Sequence, residues 1–320
     1  MPMRRLLPAL VLACLAGTAA LPPAAHAEAP LAKTQAPGWY RTLVGDVEVT
    51  ALSDGTLALP VTKLLKGDPK KMVAALRRNH LGEQVETSVN GYLVNTGSKL
   101  VLIDTGAGSL FGPTLGGLVA NLKAAGYQPE QVDEIYITHM HGDHVGGLVA
   151  NNQRVFANAV LRIDKRDVDY WLSEANMNAA PDSAKDFFKG AMLMAGPYQQ
   201  AGKLKPFEGA TELVPGVRAQ PAYGHTPGHT IYTVESKGRK LVLWGDLMHV
   251  AAVQFEDPTV TIAFDSDARK AMPARQKAYA EAAKTGDLVG ASHLSFPGLG
   301  YLRAAGKGYT FLPLNYSTLK

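Results

Sequence analysis

The chain has 320 residues, 46% of them hydrophobic and 19% charged, with a formal net charge of +4 and a single cysteine. That is the composition of an ordinary globular enzyme; it excludes a disulfide-stapled miniprotein and, with no repeat or long low-complexity segment, a solenoid or a disordered tail. Two of the positive charges are Arg4 and Arg5, so about +2 remains without them, too little to argue for nucleic acid or another polyanionic partner.

Residues 1–27 read as a secretory signal. Arg4-Arg5 precedes an apolar stretch, Leu6 to Leu15, too short to span a membrane, and Ala25-His26-Ala27 supplies an A-x-A cleavage site. Val11-Leu12-Ala13-Cys14 is a poor lipoprotein box, and Arg4-Arg5 a weakly flanked twin-arginine signal. Cys14 would leave with the signal, and a thiol-free mature chain suits an oxidising compartment. The expectation is a periplasmic or secreted protein with no membrane contact after cleavage. Residues 28–38, rich in Ala and Pro, read as a loose lead-in, and a single folded domain is expected over 39–320.

Strand-like runs follow at Val47 to Leu52, Gly91 to Asn95 and Leu100 to Ile103, with helices expected over Leu115 to Ala125 and Met272 to Ala283. Alternation of this kind indicates an α/β protein. Lys99 to Ile103 ends in Asp104-Thr105-Gly106, a carboxylate and a glycine turn. The apolar run Ile135-Tyr136-Ile137 leads into Thr138-His139-Met140-His141-Gly142-Asp143-His144. Three imidazoles and a carboxylate in six residues suit zinc, and also manganese, cobalt or iron. One ion rarely takes four ligands from so short a turn. The spacing fits better if His139 and His141 serve one metal while Asp143 and His144 serve another, which predicts a two-metal hydrolase.

The missing ligands have candidates downstream in Gly224-His225-Thr226-Pro227-Gly228-His229, in Leu241 to Asp246 and in Leu288 to His293; in the last two a polar residue ends an apolar run. In order and spacing these elements resemble the metallo-β-lactamase superfamily over nearly the whole mature chain. The resemblance implies an αββα sandwich of two mixed sheets flanked by helices. It implies one metal on His139, His141 and His225, a second on Asp143, His144 and His293, and Asp246 bridging the two. His225 matches the family ligand better than His229, because many relatives keep the first histidine of that element and lose the second; His229 then supports the site from behind. Asp104 matches an acidic residue that fixes a ligand imidazole, a reading favoured here over a plain strand-to-helix cap. Two such ions would share a hydroxide acidified toward neutrality and polarise the scissile carbonyl or phosphoryl oxygen, with Asp246 and Asp143 at the catalytic centre.

A closer resemblance joins Thr87 to Gly97, Leu110 to Gly116, Ala251 to Phe255 and Leu294 to Gly298 to the methyl parathion hydrolases, which are secreted, often dimeric and possess an aromatic pocket. Phe111, Trp171 and Phe188 fall at the pocket positions. Where those enzymes carry an arginine, a leucine, a threonine and a second leucine, this chain has Leu64, His249, Ile262 and Phe264, and its loop at Pro181 to Lys185 is one residue shorter. That pattern resembles the related dihydrocoumarin hydrolases. It implies a small-molecule lactone or ester as substrate, with phosphotriester cleavage as a side activity, and a homodimer. Ile262 and Phe264 would fill space that a bulky phosphotriester needs, and His249 would hydrogen-bond a lactone oxygen. The alternatives are a phosphotriesterase as main activity, a periplasmic β-lactamase, an acyl-homoserine lactonase and, in a different class, a non-catalytic metal-binding scaffold.

Overall fold

The structure, a computed structural model, describes residues 29–319. The expected signal, 1–27, therefore lies outside the described residues. Ala36 to the C-terminus forms one compact unit, whose first strand begins at Trp39. The first of its two large sheets takes its strands in chain order: Trp39–Val44, Val47–Pro60, Gln84–Asn95, Leu100–Ile103, Glu134–Tyr136 and Val160–Arg162. The second runs Thr211–Val214, Val217–Pro221, Thr230–Ser236, Arg239–Leu243, Leu288–Gly290, Leu299–Ala305 and Gly308–Pro313.

Both sheets are mixed. Leu100–Ile103, Glu134–Tyr136 and Val160–Arg162 are parallel, as are Arg239–Leu243 and Leu288–Gly290. Parallel neighbours end at the same rim, so Asp104, the histidine turn, Asp246 and His293 all emerge where strands stop. Val49, Tyr92, Tyr136, Val217, Tyr232 and Leu241 interleave in the core that joins the sheets. Leu118–Ala124, Lys165–Trp171 and Asp182–Gln200 pack in the core on the outer face of the first sheet, and Ala268–Thr285 in that of the second. This is the αββα arrangement that the sequence implied.

Several elements differ in extent from the sequence reading. Val47–Pro60 runs eight residues past Leu52, because Ser53-Asp54-Gly55 forms a bulge in the pairing with Gln84–Asn95 rather than ending the strand. The helix expected from Leu115 starts only at Leu118, since Gly116 sits at φ +89°. Asp54 explains both: its buried carboxylate accepts the N–H groups of Ala107, Gly116 and Leu118 at 2.9, 2.9 and 3.1 Å, pinning both stems of the loop that carries Phe111. Pro181 to Lys185, read as a loop, is mostly the first turn of Asp182–Gln200; Pro181 precedes that helix as its N-cap. Among the described residues no helix is long and apolar enough to cross a membrane.

Candidate metal centre

The turn after Glu134–Tyr136 is built on Asp104, which adopts φ +57°, a left-handed conformation that aspartate tolerates better than most residues. Its Oδ1 accepts Thr138 N–H at 2.8 Å, and its Oδ2 accepts both the Thr138 hydroxyl and His144 Nδ1–H at 2.8 Å. The Thr138 hydroxyl oxygen lies 3.1 Å from His139 Nδ1. One carboxylate oxygen thus fixes two imidazoles, leaving Nε2 of each free to face inward. Asp104 orients ligand rings and is not merely a turn cap.

The inward nitrogens meet in two groups that share Asp246: His139, His141 and His225 with Asp246, and Asp143, His144 and His293 with Asp246. In the first, His141 Nδ1 lies 3.1 Å from His139 Nε2 and 3.2 Å from His225 Nε2. Asp246 Oδ2 is 3.4 and 3.6 Å from the His225 and His139 nitrogens. In the second, His144 Nε2 is 3.5 Å from Asp143 Oδ2 and 3.3 Å from Asp246 Oδ1; His293 Nε2 is 3.4 Å from Asp143 Oδ2 and 3.1 Å from Asp246 Oδ2. Ligands about 2.1 Å from a tetrahedral zinc stand about 3.4 Å apart, so both groups have the spacing of a coordination shell. His144 Nε2 and Asp246 Oδ1 are also buried with no hydrogen-bond partner, a costly state that a cation relieves. The residues fit two divalent ions.

Charge is arranged to match. Burial disfavours a charged His225, but the hydrogen bonds it donates to Asp246 and to Asp265, the latter 2.9 Å from its Nδ1, outweigh it and push the ring up to about 9. A bound cation would take the place of the proton on Nε2. Burial likewise raises Asp143, yet the neighbouring His144 and His293 hold its carboxyl well below the usual range. His229 stands apart: its Nδ1 hydrogen-bonds the Ala222 carbonyl at 3.1 Å, and its Nε2 accepts the Asp246 N–H at 3.0 Å. Burial and the nearby His225 push it down to about 3. With both nitrogens spent it can bind no ion and instead places Asp246. Gly245 makes this possible, at φ +54°, where a Cβ would lie 2.9 Å from His229 Nε2.

A cavity of about 110 Å³ opens on the metal groups and is lined by Leu57, Leu59, Phe111, Phe187, Phe264, His249 and the ligands His141, Asp143, Asp246 and His293. Of the expected pocket residues, Phe111, His249 and Phe264 line it. Phe188 does not: it is 1% exposed in the core, and the adjacent Phe187 faces His141 at a ring distance of 5.2 Å. Neighbours on a helix point about 100° apart, so only one of the pair can reach the site. Trp171 sits behind His141, edge-on at 5.4 Å, outside the lining. Leu64 and Ile262 also lie outside it, packed in the core under Phe264, where the Leu64 carbonyl accepts Ala263 N–H. Leu57 and Leu59, alternate residues on one strand face, and Asp265 carried no motif that sequence reading could use.

The model of the metallo-beta-lactamase superfamily matches residues 85–293, and the chain belongs to that superfamily. The chain is similar to the hydrolase AbOPH of the beta lactamase superfamily: 35% identical, covering 89% of this chain and all of that one, with a TM-score of 0.85. It is also similar to AidC, a dizinc quorum-quenching lactonase solved with the product N-hexanoyl-L-homoserine, at 28% identity, covering 88% and 99% of the two chains, TM-score 0.82. An N-acyl homoserine lactonase of Bacillus cereus is 30% identical over 150 residues, 47% of this chain; the chain spans about half of that relative, 52% of its length.

Proposed function

We propose that this protein is a two-metal lactonase acting on neutral, apolar lactones, with an aryl lactone of the dihydrocoumarin type as the preferred substrate. The observation that carries the reading is the cavity: its wall beside the metal groups is leucine and phenylalanine, and among the described residues no lysine or arginine lines it. A glutathione thioester, a nucleic acid or a carboxylated β-lactam would bring an anionic group to that wall with no cation to receive it. Phe111, Phe187 and Phe264 supply aromatic surface for a flat aryl leaving group.

When bound, the two ions, zinc in this reading, supply an acidified water and a Lewis acid for the carbonyl oxygen. The chain's own residues do the rest. His139, His141, Asp143, His144, His225, Asp246 and His293 hold the ions. His249 lines the cavity with its Nε2 3.1 Å from Asp246 Oδ2 and its Nδ1 buried without a partner. Burial pushes it down to about 4 against the pull of Asp246, which keeps the ring neutral; its single N–H, on the Nε2 that faces Asp246, is the one a lactone oxygen in the cavity would compete for. Phe264, braced by Ile262 and Leu64, takes up room that a phosphotriester would need, leaving that chemistry as a side activity.

The second reading, an acyl-homoserine lactonase, is favoured by the likeness to AidC and to the Bacillus lactonase. Rates on dihydrocoumarin, hexanoyl-homoserine lactone, methyl paraoxon and a β-lactam separate the readings. A lead in kcat/KM for dihydrocoumarin is expected, a lead for the homoserine lactone selects the second reading, and a lead for either other substrate overturns both. The signal-like residues 1–27 support a periplasmic or secreted site for this activity, and the resemblance to the methyl parathion hydrolases supports a homodimer.

A further inference from the structure

Asp167 is fully buried in the short helix Lys165–Trp171 and belongs to neither metal group. Its Oδ2 accepts the N–H of Met140 at 2.9 Å and the hydroxyl of Thr226 at 3.0 Å; its Oδ1 accepts the N–H of Gly228 at 2.5 Å. Met140 is the residue between His139 and His141. Thr226 follows His225, and Gly228 precedes His229. The two turns that supply the three imidazoles of the first metal group are 84 residues apart in sequence at His141 and His225. One carboxylate on a third segment ties both. At Gly228 a Cβ would meet the Asp167 backbone nitrogen at 2.6 Å, so the glycine is what lets this turn close on the carboxylate.

No lysine or arginine forms an ion pair with Asp167 among the described residues. Burial pushes its carboxyl up to about 6 against the three hydrogen bonds. A buried anion without a cation is a poor device for stability alone. Its three acceptor contacts all serve one end, holding the ligand turns at the separation an ion requires.

We infer that Asp167 is a positioning residue for the first metal group, setting the distance between the His139–His141 turn and His225, and that it leaves the second group alone. The inference rests on the ligand assignment above but not on the substrate. In Asp167→Asn the amide carries one oxygen and one NH₂, so either Gly228 N–H or Met140 N–H must face a second donor. The conserved shape keeps the bulk in place while the clamp opens.

The test is zinc binding to the full protein, stripped and then titrated in competition with a chromophoric chelator. Wild type and Asp167→Asn are compared, with Thr226→Val as the milder variant, which removes a single donor and reads the same effect if the asparagine variant does not fold. Loss of a distant group that orients metal ligands typically weakens binding by about 10- to 100-fold. That loss is expected for one zinc equivalent in Asp167→Asn, and a smaller loss for the same equivalent in Thr226→Val, with the other equivalent bound as in wild type. Asp54→Asn, which disturbs a buried carboxylate with three backbone donors but no ligand turn, should leave both equivalents in place. Unchanged affinity at both sites, or equal weakening of both, would overturn the inference while leaving a lactonase reading intact; failure of wild type to bind two equivalents would instead overturn the ligand assignment beneath it.

Discussion

Asp104→Asn isolates the hydrogen-bond chemistry behind the ligands with almost no change of shape. In the native arrangement His139 Nδ1 donates to the Thr138 hydroxyl oxygen, that hydroxyl donates to Asp104 Oδ2, and His144 Nδ1 donates to the same oxygen. If the new NH₂ takes the Oδ2 position, it faces His144 Nδ1–H, and the ring relieves the clash by moving its proton to Nε2, where the ion binds. Thr138 is reversed by the same substitution and drives His139 the same way. If the amide turns round, the NH₂ faces the Thr138 backbone N–H, and an unmet buried donor costs about 1–3 kcal/mol of stability. The first outcome should weaken zinc binding by about 10- to 100-fold, or about 1.4–2.8 kcal/mol at 1.4 kcal/mol per decade. Chelator competition measures the affinity and urea unfolding of the stripped protein measures the stability. A variant that keeps wild-type zinc affinity and wild-type stability would refute the claim that Asp104 sets the tautomers.

Three further expectations are independent of that one. His229 is held near 3 in the fold against 6.5 for a free histidine, so the stability it contributes is complete above pH 6.5 and is lost as pH falls toward 3. The metal-stripped protein should weaken across that window in urea unfolding, and His229→Gln should flatten the slope; an unchanged slope would count against the two hydrogen bonds assigned to the ring. Phe187→Ala should raise KM for an aryl lactone, whereas Phe188→Ala should cost about 3–5 kcal/mol of stability, the usual price of emptying a buried phenylalanine site. The reverse pattern would mean that Phe188 and not Phe187 faces the substrate. Replacing His249 and Phe264 together by leucine should lower kcat/KM on dihydrocoumarin and raise it on methyl paraoxon; no change in their ratio would remove both residues from the specificity argument.

The metal groups were legible because metal chemistry restricts residue type and the strand ends restrict position. A run such as Leu241 to Leu243 can only deliver Asp246 to a rim, and three histidines in one turn have few other uses. The preference for His225 over His229 has its physical basis in the Ala222 carbonyl and the Asp246 N–H, neither of which sequence displays. The pocket was less legible. Phe187 and Phe188 are equivalent in composition and differ only in helix phase, and the phase is fixed by packing of Asp182–Gln200 on the first sheet. Asp54, Asp167 and Asp265 were invisible because each acts on backbone or ring nitrogens far away in sequence, with no motif of its own. Ser53-Asp54-Gly55 looks like a turn and is a bulge, since the carboxylate is occupied by the Phe111 loop.

The most direct test of a two-metal lactonase is to strip the protein of metal and follow dihydrocoumarin opening as zinc is added back. Activity should climb until two equivalents per chain are bound, and Asp246→Asn should bind less and open none of the lactone at a rate above background. Full activity at one equivalent, or lactone opening that persists in the stripped protein, would contradict the account.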